Sequence, residues 1–332
     1  MRKVWLASFV TLALAGYGCT AATPPNQFGV GGSGSGSGGE SGAGGDTLAG
    51  VGGSGFSTGT DGSTGVTGGG DSCSEAAKLI YVLSTDNVLY SFSPQQKAFK
   101  KIGPLGCNTT MSPNSMAVDR NAVAYVNYVQ SGGFGDSAGA IFKVSTVDAS
   151  CQPTPITLGA GWYRLGMGFS TDAAQGTSEQ LFVTGTGNSP GDTSPGLGRI
   201  DFGANKIVPL GQFNGPLAGK NAELTGTGDA RLFGFFTTSP VEVAEIDKKG
   251  GAILSTAKLP KVETPSAWAF SFWGGDFYLY TAPDPNSNPG RTTNVSKYHP
   301  QDGSTDAAYM TNIGFTIVGA GVSTCAPVEP PK

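Results

Sequence analysis

Acidic side chains recur in this sequence at places where they could support acid–base chemistry. Four aspartates each follow a short apolar segment, and one glutamate stands apart from them: Asp119, Asp172, Asp229, Asp276 and Glu223. Hydrolysis of a glycosidic bond needs two carboxyl groups that face one sugar. Aspartate also commonly hydrogen-bonds its own backbone in a turn, so we interpret the four aspartates as turn residues. No second acid occupies a position equivalent to that of Glu223, which favours binding over hydrolysis.

A single histidine restricts the catalytic sets that the sequence could hold. His299 lies in the segment Tyr298-His299-Pro300, where we predict a solvent-exposed turn and not the buried setting of a Ser-His-Asp or Cys-His set. One histidine and four cysteines expected in disulfides leave too few ligands for zinc. We therefore predict no catalytic residue, no metal and no cofactor.

Two loops resemble cofactor or cation motifs but depart from them. Residues 185–191 have one residue too many between their glycines for a dinucleotide-binding fingerprint, and no helical pattern follows. The segment from Asp284 to Gly290 resembles the start of a calcium loop, yet its glycine comes one position late and Val295 replaces the bidentate glutamate. We predict a turn in the first case and a long solvated loop in the second.

The elements that position these side chains belong to one strand repeat. Five copies of an apolar-alternating strand followed by a polar turn lie between Val88 and Tyr309. Their equivalent core positions, 46 to 56 residues apart, are Phe92, Val144, Ile200, Ile246 and Tyr298. Each copy extends back to a second strand rich in aromatic and β-branched residues, and outer strands complete the copies. A period of this size filled with strands is typical of radial β-repeat folds.

Inner strands of small residues precede the second strands in four copies, at residues 115–119, 165–170, 224–229 and 267–272. The first copy lacks one, while residues 316–322 have the same glycine-rich character and no copy after them. Pairing this segment with the strand at Leu79 completes the first copy. The sequence therefore predicts an all-β fold, a five-bladed β-propeller of four-stranded blades that the C-terminal strand closes by completing the first blade.

The closed ring also predicts how the cysteines pair. Cys73 lies just before the second strand of the first blade and Cys325 just after its inner strand, at the same end of one strand pair. We pair these two, and Cys107 then pairs with Cys151 by elimination. Cys19 is left over, which is consistent with a separate role near the N-terminus.

The first residues have the pattern of an export signal. Arg2 and Lys3 precede an apolar run at 4–15 and small residues around Cys19. This resembles a bacterial lipoprotein signal, which implies lipidation of Cys19 with palmitate-type acyl chains and, without a following aspartate, an outer-membrane location. Ordinary cleavage after Ala15 is the alternative. No later apolar stretch is long enough to cross a bilayer as a helix.

Composition separates a tether from a globular domain. Of the 54 glycines, many lie before Cys73 in a stretch that cannot bury enough apolar surface to fold. We divide the chain into a signal peptide (1–18), a lipidated, disordered Gly/Ser-rich tether (19–72), a propeller (73–326) and a Pro-rich tail (327–332). The net charge of −4 and the absence of a basic stripe argue against nucleic acid as a partner.

The layout resembles a family of uncharacterised myxobacterial-type secreted lipoproteins with Gly/Ser-rich tethers and propeller domains. The resemblance is carried most specifically by three segments, residues 222–236, 267–278 and 314–327. It implies export and a propeller fold, and it implies no activity.

One rim of the predicted ring, which we call the mouth, is where the inner strands begin. The residues expected to converge there as a ligand-binding set are Asn114, Ser115, Tyr163, Arg164, Glu223, Trp268 and Phe315. Aromatic and polar groups of this kind can stack on and hydrogen-bond a sugar or peptide. The alternative is that Tyr163, Trp268 and Phe315 pack between blades.

Three functions fit these predictions. The first is a monomeric, surface-exposed, lipid-anchored binding module that uses the propeller rim to engage a glycan, peptide or envelope protein. The second is an extracellular carbohydrate-active hydrolase on the same ring, which a second carboxylate roughly 5 to 10 Å from Glu223 would favour. The third is an envelope structural protein without a small ligand, which a channel plugged by apolar side chains would favour.

Overall fold

The computed structural model describes residues 73–133, 135–189 and 191–331. In this part of the chain, twenty strands form five four-stranded antiparallel sheets arranged as a ring. This architecture confirms the predicted five-bladed β-propeller. The predicted signal peptide, the lipidated Cys19 and the tether lie outside the described residues.

The strands are numbered in chain order, and each blade is given from its inner to its outer strand. Blade 1 consists of β20 (Ile317–Val322), β1 (Ile80–Ser84), β2 (Val88–Ser93) and β3 (Ala98–Pro104). Blade 2 consists of β4 (Ser112–Val118), β5 (Val123–Gly132), β6 (Gly135–Ser145) and β7 (Cys151–Pro153). Blade 3 consists of β8 (Leu165–Thr171), β9 (Glu179–Gly185), β10 (Leu197–Asp201) and β11 (Lys206–Gly211).

The remaining two blades follow the same order. Blade 4 consists of β12 (Ala222–Gly226), β13 (Leu232–Phe236), β14 (Val241–Ile246) and β15 (Ile253–Leu259). Blade 5 consists of β16 (Ala267–Trp273), β17 (Asp276–Ala282), β18 (Asn294–Tyr298) and β19 (Thr305–Met310). Two short 3-10 turns, Ala76–Lys78 and Gly215–Leu217, lie in the connections.

The ring closes as the sequence predicts. The C-terminal strand β20 pairs antiparallel with β1, with Ile80 opposite Val322 and Leu83 opposite Gly319. Cys73 and Cys325 flank this strand pair and form a disulfide with a Cα–Cα distance of 5.8 Å. The second predicted disulfide, Cys107–Cys151, is also present. It joins the segment after β3 to the start of β7 and so connects blade 1 to blade 2.

Five hydrophobic clusters fill the ring, one at each junction between neighbouring blades. Second strands supply much of this core, because both of their faces are buried: β13 and β1 have no exposed residue. At the junction of blades 4 and 5, Phe233 stacks on Phe272 and meets Phe277 edge-on. These aromatic contacts fix blade 4 against blade 5.

Glycine lets the inner strands approach one another closely. A Cβ atom on Gly166 of β8 would lie 2.0 Å from the carbonyl oxygen of Ala222 in blade 4. A Cβ atom on Gly226 of β12 would lie 2.1 Å from the carbonyl oxygen of Phe169. The two inner strands therefore pack backbone to backbone, which agrees with the predicted crowding beside the axis.

Among the described residues, no helix has the length and apolar character needed to cross a bilayer. The two disulfides are typical of proteins that fold in an oxidising compartment.

Candidate functional site

Polar residues at the mouth lie within or just before the inner strands of blades 2, 3 and 4. Glu223 is the second residue of β12, and its carboxyl oxygen Oε2 accepts a 2.7 Å hydrogen bond from the Ser115 hydroxyl of β4. Both side chains are buried, with 6% of Glu223 and none of Ser115 exposed. The sequence placed both residues at the mouth, and the structure brings them into direct contact.

Burial decides the protonation state of Glu223. Removing a carboxylate from water disfavours its charged form, and this desolvation raises the pKa of Glu223 well above its usual value. The hydrogen bonds from Ser115 and the Met167 backbone and the charge of Arg164 lower the pKa, but they do not offset burial. Burial therefore favours the protonated, neutral form of the Glu223 carboxyl group.

Arg164, the residue before β8, is the charged centre of a polar network at the mouth. Its Nε and Nη2 bind both oxygens of Asp136, at 2.9 and 3.0 Å. Nη1 donates to Asn114 Oδ1 at 2.8 Å, and Nη2 also donates to the Ser131 hydroxyl at 2.9 Å. The side chain of Asp136 is only 9% exposed, whereas that of Arg164 is 35% exposed. Asp136 thus holds the guanidinium in place while part of the Arg164 side chain stays exposed to solvent.

An asparagine on a second strand ties the network to the backbone. Asn127 of β5 accepts from the Leu165 amide through Oδ1 and donates to the Tyr163 carbonyl through Nδ2, both at 3.0 Å. Asn114 donates to Asn127 Oδ1 at 3.0 Å and to the Leu165 carbonyl at 2.7 Å. These contacts fix the start of β8 against blade 2, and with it the position of Arg164.

Asn127, Ser131 and Asp136 were missed from the sequence. Residues 131–139 are rich in glycine and serine, so they indicate a loop, but the β5–β6 hairpin continues through them, with Gln130 opposite Ala138 and Gly132 opposite Gly135. This extension carries Asp136 over the mouth. The sequence does contain one signal: Asp136 is a single acid in this segment, and Arg164 is a single arginine before an inner strand, so the two could have been paired.

The three predicted aromatic residues lie at blade junctions, and all are half-buried. Tyr163 packs against the cluster between blades 2 and 3, and Trp268 against the cluster between blades 4 and 5. Phe315 stacks on Tyr90, with ring centroids 4.3 Å apart, and meets Phe99 edge-on. The packing role foreseen as the alternative is therefore present for each ring, and none of the three residues is fully buried.

The segment after β20 contacts three other blades at the rim opposite the mouth, which we call the far rim. Thr324, after β20, donates to Glu179 at 2.6 Å and accepts from Arg120 Nη1 at 3.1 Å. A Cβ atom on Gly228 of blade 4 would lie 2.3 Å from the Thr324 carbonyl oxygen. Backbone and polar side chains of blades 2, 3 and 4 thus meet the segment after β20 at this rim.

The four recurring aspartates do not share one role. Asp119 accepts from the backbone amides of Asn121 and Val123, both at 2.9 Å, which is the predicted turn chemistry. Asp276 departs from that interpretation, because its carboxylate binds Lys297 Nζ at 2.7 Å and His299 Nδ1 at 2.6 Å. The predicted solvent-exposed histidine is therefore half-buried and paired with an acid.

The other two aspartates lie in the same kind of turn at the far rim. Asp172 accepts from the side chains of Ser178 and Gln180 and not from its own backbone. Asp229 leaves a buried Oδ1 atom without a hydrogen-bond partner. Side-chain pairing and burial thus replace the predicted backbone contacts at these positions.

Residues 135–139, Gly-Asp-Ser-Ala-Gly, have the Gly-x-Ser-x-Gly spacing of a nucleophile elbow, which was missed from the sequence. An elbow places its serine on a sharp turn between a strand and a helix. Here Ser137 is exposed within strand β6 and its hydroxyl donates to the Gln130 carbonyl. His299 belongs to blade 5 at the far rim. The geometry of a serine hydrolase is therefore not formed by these residues.

In the calcium-like loop, the carboxylate of Asp284 accepts hydrogen bonds from residues of its own turn. Asp284 accepts from the backbone amide of Asn286 at 3.0 Å and from the Ser287 hydroxyl at 3.1 Å. Across the residues that the structure describes, no three His, Cys, Asp or Glu side chains cluster as metal ligands.

No family model matches this chain, and no curated protein sequence matches it. Solved structures of similar fold include a gluconolactonase from Xanthomonas campestris, with 13% identity over 60% of this chain and 68% of that chain at a TM-score of 0.38. A GH74 xyloglucanase from Xanthomonas campestris has 16% identity over 69% of this chain and 35% of its own, also at a TM-score of 0.38. A Bacteroides caccae protein of unknown function has 10% identity over 73% of this chain and 97% of its own, at 0.35.

Proposed function

We propose that this protein is an exported binding module that holds a glycan at the mouth of its propeller. The observation that carries the proposal is the setting of Arg164, a guanidinium that Asp136 and Asn114 hold in place while its side chain is still 35% exposed. A fixed donor loses little freedom when it binds a ligand oxygen. Such preorganisation is typical of a recognition site.

The donors of Arg164 leave room for a ligand. A guanidinium has five N–H groups, and the contacts of Nε, Nη1 and Nη2 with Asp136, Asn114 and Ser131 use four of them. Asp136 balances the charge of the arginine, so the site favours a neutral hydroxyl over a second anion. The half-buried rings of Tyr163 and Trp268 give apolar surface against which a sugar can pack.

The same geometry argues for binding over hydrolysis. A general acid must reach the glycosidic oxygen, but Glu223 is 6% exposed and lies under the Ser115 hydroxyl. The other acid at the mouth, Asp136, is neutralised by a two-point contact with Arg164. Neither carboxyl group is placed to attack a sugar from solvent.

A glycan array with the full chain tests the proposal. We expect saturable binding to at least one glycan, and at least a tenfold loss in the variant Arg164→Lys, because lysine keeps the charge but loses the fork. Arg199→Lys is the matched control, since Arg199 lies on the third strand of blade 3. Absence of binding to all glycans, or equal binding by Arg164→Lys and the wild type, would refute the proposal.

The proposal includes a lipid anchor at Cys19, an outer-membrane location and a monomeric state. The export-type N-terminus and the two disulfides support it. Membrane fractionation of the variant Cys19→Ala tests the anchor, and we expect the protein to move into the soluble fraction. Retention of the variant in the membrane fraction would show that Cys19 does not anchor the chain.

A further inference from the structure

The ring has a cavity at the far rim, where blade 5 meets blade 1. It measures about 310 Å³, the lower end of the range for small-molecule sites. Its walls come from the β16–β17 turn, the segment after β18, the β2–β3 turn and the C-terminal tail, which contributes Pro330 and Pro331. Blade 1, blade 5 and the C-terminal tail thus shape one pocket.

One face of blade 5 lines this cavity with charged and aromatic side chains. The strand register places Tyr278 opposite Lys297 and Phe277 opposite Tyr298, so Asp276 lies across from His299. Side chains two residues apart on a strand share a face. Asp276, Tyr278, Lys297 and His299 therefore point to the same side, toward blade 1.

The acid in this group binds two partners at once. Asp276 Oδ2 lies 2.7 Å from Lys297 Nζ, and Oδ1 lies 2.6 Å from His299 Nδ1. A contact with a carboxylate places the imidazole proton on Nδ1, which leaves Nε2 of the neutral ring as an acceptor. The ammonium of Lys297 has three donors, and Asp276 accepts from one of them. The group therefore offers a fixed acceptor beside fixed donors.

Aromatic rings form the apolar part of the same pocket. Tyr309 is held by a hydrogen bond from its hydroxyl to the Pro94 carbonyl and by Lys97, whose Nζ lies 4.2 Å from the ring centroid. Trp273 donates from Nε1 to the Lys78 carbonyl at 2.8 Å. A hydrogen bond at the edge thus fixes each ring, and both rings line the cavity as surface against which a ligand can pack.

We propose that this cavity binds a neutral hydroxylated ligand of the size of one sugar ring. The positive charge of Lys297 balances the negative charge of Asp276 within the pocket. Asp302 in the lining and Lys97 beside Tyr309 form a second set of opposite charges, so the charges of the pocket balance. A ligand hydroxyl can donate to His299 Nε2 while a neighbouring oxygen accepts from Lys297. Aromatic rings beside such polar groups suit the apolar face of a sugar. This site is separate from the mouth and does not depend on the function proposed there.

His299 gives the experiment a unique reporter, because it is the only histidine in the sequence. The full chain labelled with ¹⁵N-histidine would be titrated with neutral monosaccharides, N-acetylated monosaccharides and uronic acids while the imidazole ¹⁵N resonances are followed. We expect a saturable shift of the Nε2 resonance with at least one neutral sugar. No shift with any sugar, or a shift with uronic acids alone, would overturn the proposal.

Three variants locate the effect. Tyr309→Leu removes a wall, and Gln95→Trp adds bulk at an exposed position of the lining, where folding is not at risk. We expect each to raise the apparent Kd at least tenfold. Arg164→Lys at the mouth should leave the Kd unchanged. Loss of the shift in Arg164→Lys, or its persistence in both pocket variants, would place the ligand elsewhere and refute the far-rim site.

Discussion

Glu223 is buried, and the hydrogen bonds and the arginine charge around it do not fully compensate for the loss of water. A buried carboxyl group that is not fully paired takes up a proton, because the neutral form costs less to desolvate. The consequence is that this side chain acts at the mouth as a hydrogen-bonding spacer between blades 2 and 4, through Ser115. Its proton links the stability of the fold to pH.

The variant Glu223→Gln should abolish that link. The pKa of Glu223 is raised in the folded protein, so between its ordinary value and the raised one the folded state holds a proton that the unfolded state has lost. The free energy of unfolding of the wild type must therefore fall as pH rises through this window, by at most about 1.4 kcal/mol per pH unit. Glutamine mimics the neutral acid and removes this slope. Urea unfolding of both proteins from pH 5 to 8, with disulfides intact, measures the difference.

Glu75→Gln is the control for this experiment, since the Glu75 side chain is 90% exposed. Its pH profile should match that of the wild type. A wild type that gains stability relative to Glu223→Gln as pH rises would show that the buried carboxyl group is ionised in the folded protein, contrary to our interpretation.

At the residue scale, the sequence predicted the residues that begin inner strands but not their partners. Asn114, Ser115, Arg164 and Glu223 were found because the repeat places them at one rim, and the structure pairs Ser115 with Glu223 and Asn114 with Arg164. Asp136 was missed because a glycine-rich segment gives no strand pattern. Such a segment becomes a strand only because it pairs with a neighbouring strand, and local periodicity in the sequence does not encode that pairing.

The inner strands are the elements on which the ring depends. In β8, Gly166 faces the Ala222 carbonyl of β12, and the space for a Cβ atom is absent. The strand patterns could be predicted from the sequence because small residues recur at the same place in each copy. The pairing of Asp276 with His299 could not be predicted. It depends on the register of β17 against β18, and the long connection between these strands hides that register in the sequence.

Gly166→Ala should therefore destabilise the protein by at least about 2 kcal/mol, as expected when a group is forced into a packed core. A Cβ atom there would meet backbone, at 2.0 Å from the Ala222 oxygen and 2.9 Å from the Cα atom of Glu223, so side-chain rotation gives no relief. Gly159→Ala is the matched control, since a Cβ atom at that position would have no neighbour within 4 Å. Its effect should stay within about 0.5 kcal/mol.

Denaturant unfolding of the two alanine variants compares them directly. Equal stability of Gly166→Ala and Gly159→Ala would mean that the inner strands can separate at little cost. The tight axis would then not limit the choice of residues in these strands.

At the scale of the whole molecule, closure makes the ring a single unit. Blade 1 takes its inner strand from the C-terminal end of the described chain and its other three strands from the N-terminal end. The sequence predicted this arrangement because one copy lacked an inner strand and one such strand had no copy. Pairing of β20 with β1 thus joins residues that are far apart in the chain, and the Cys73–Cys325 disulfide secures that joint across 252 residues.

Removing one disulfide or the other should therefore destabilise different strands of the ring. By the loop-entropy relation, the Cys73→Ser/Cys325→Ser variant should lose about 5.5 kcal/mol and the Cys107→Ser/Cys151→Ser variant, whose bridge spans 44 residues, about 4 kcal/mol. The sharper difference is spatial. Without Cys73–Cys325, amide exchange should accelerate first in β1 and β20, because only strand pairing and packing then keep the ring closed.

Hydrogen exchange followed by mass spectrometry distinguishes the two variants. Loss of Cys107–Cys151 should accelerate exchange in β7, a strand of three residues that this bridge attaches to blade 1, and should leave β1 and β20 protected. Blades 3 and 4, which neither disulfide contacts, serve as the internal reference in both proteins. If both variants open all five blades together, the ring unfolds as one cooperative unit whose weakest point is not the seam, and the closure strand has no special role in its stability.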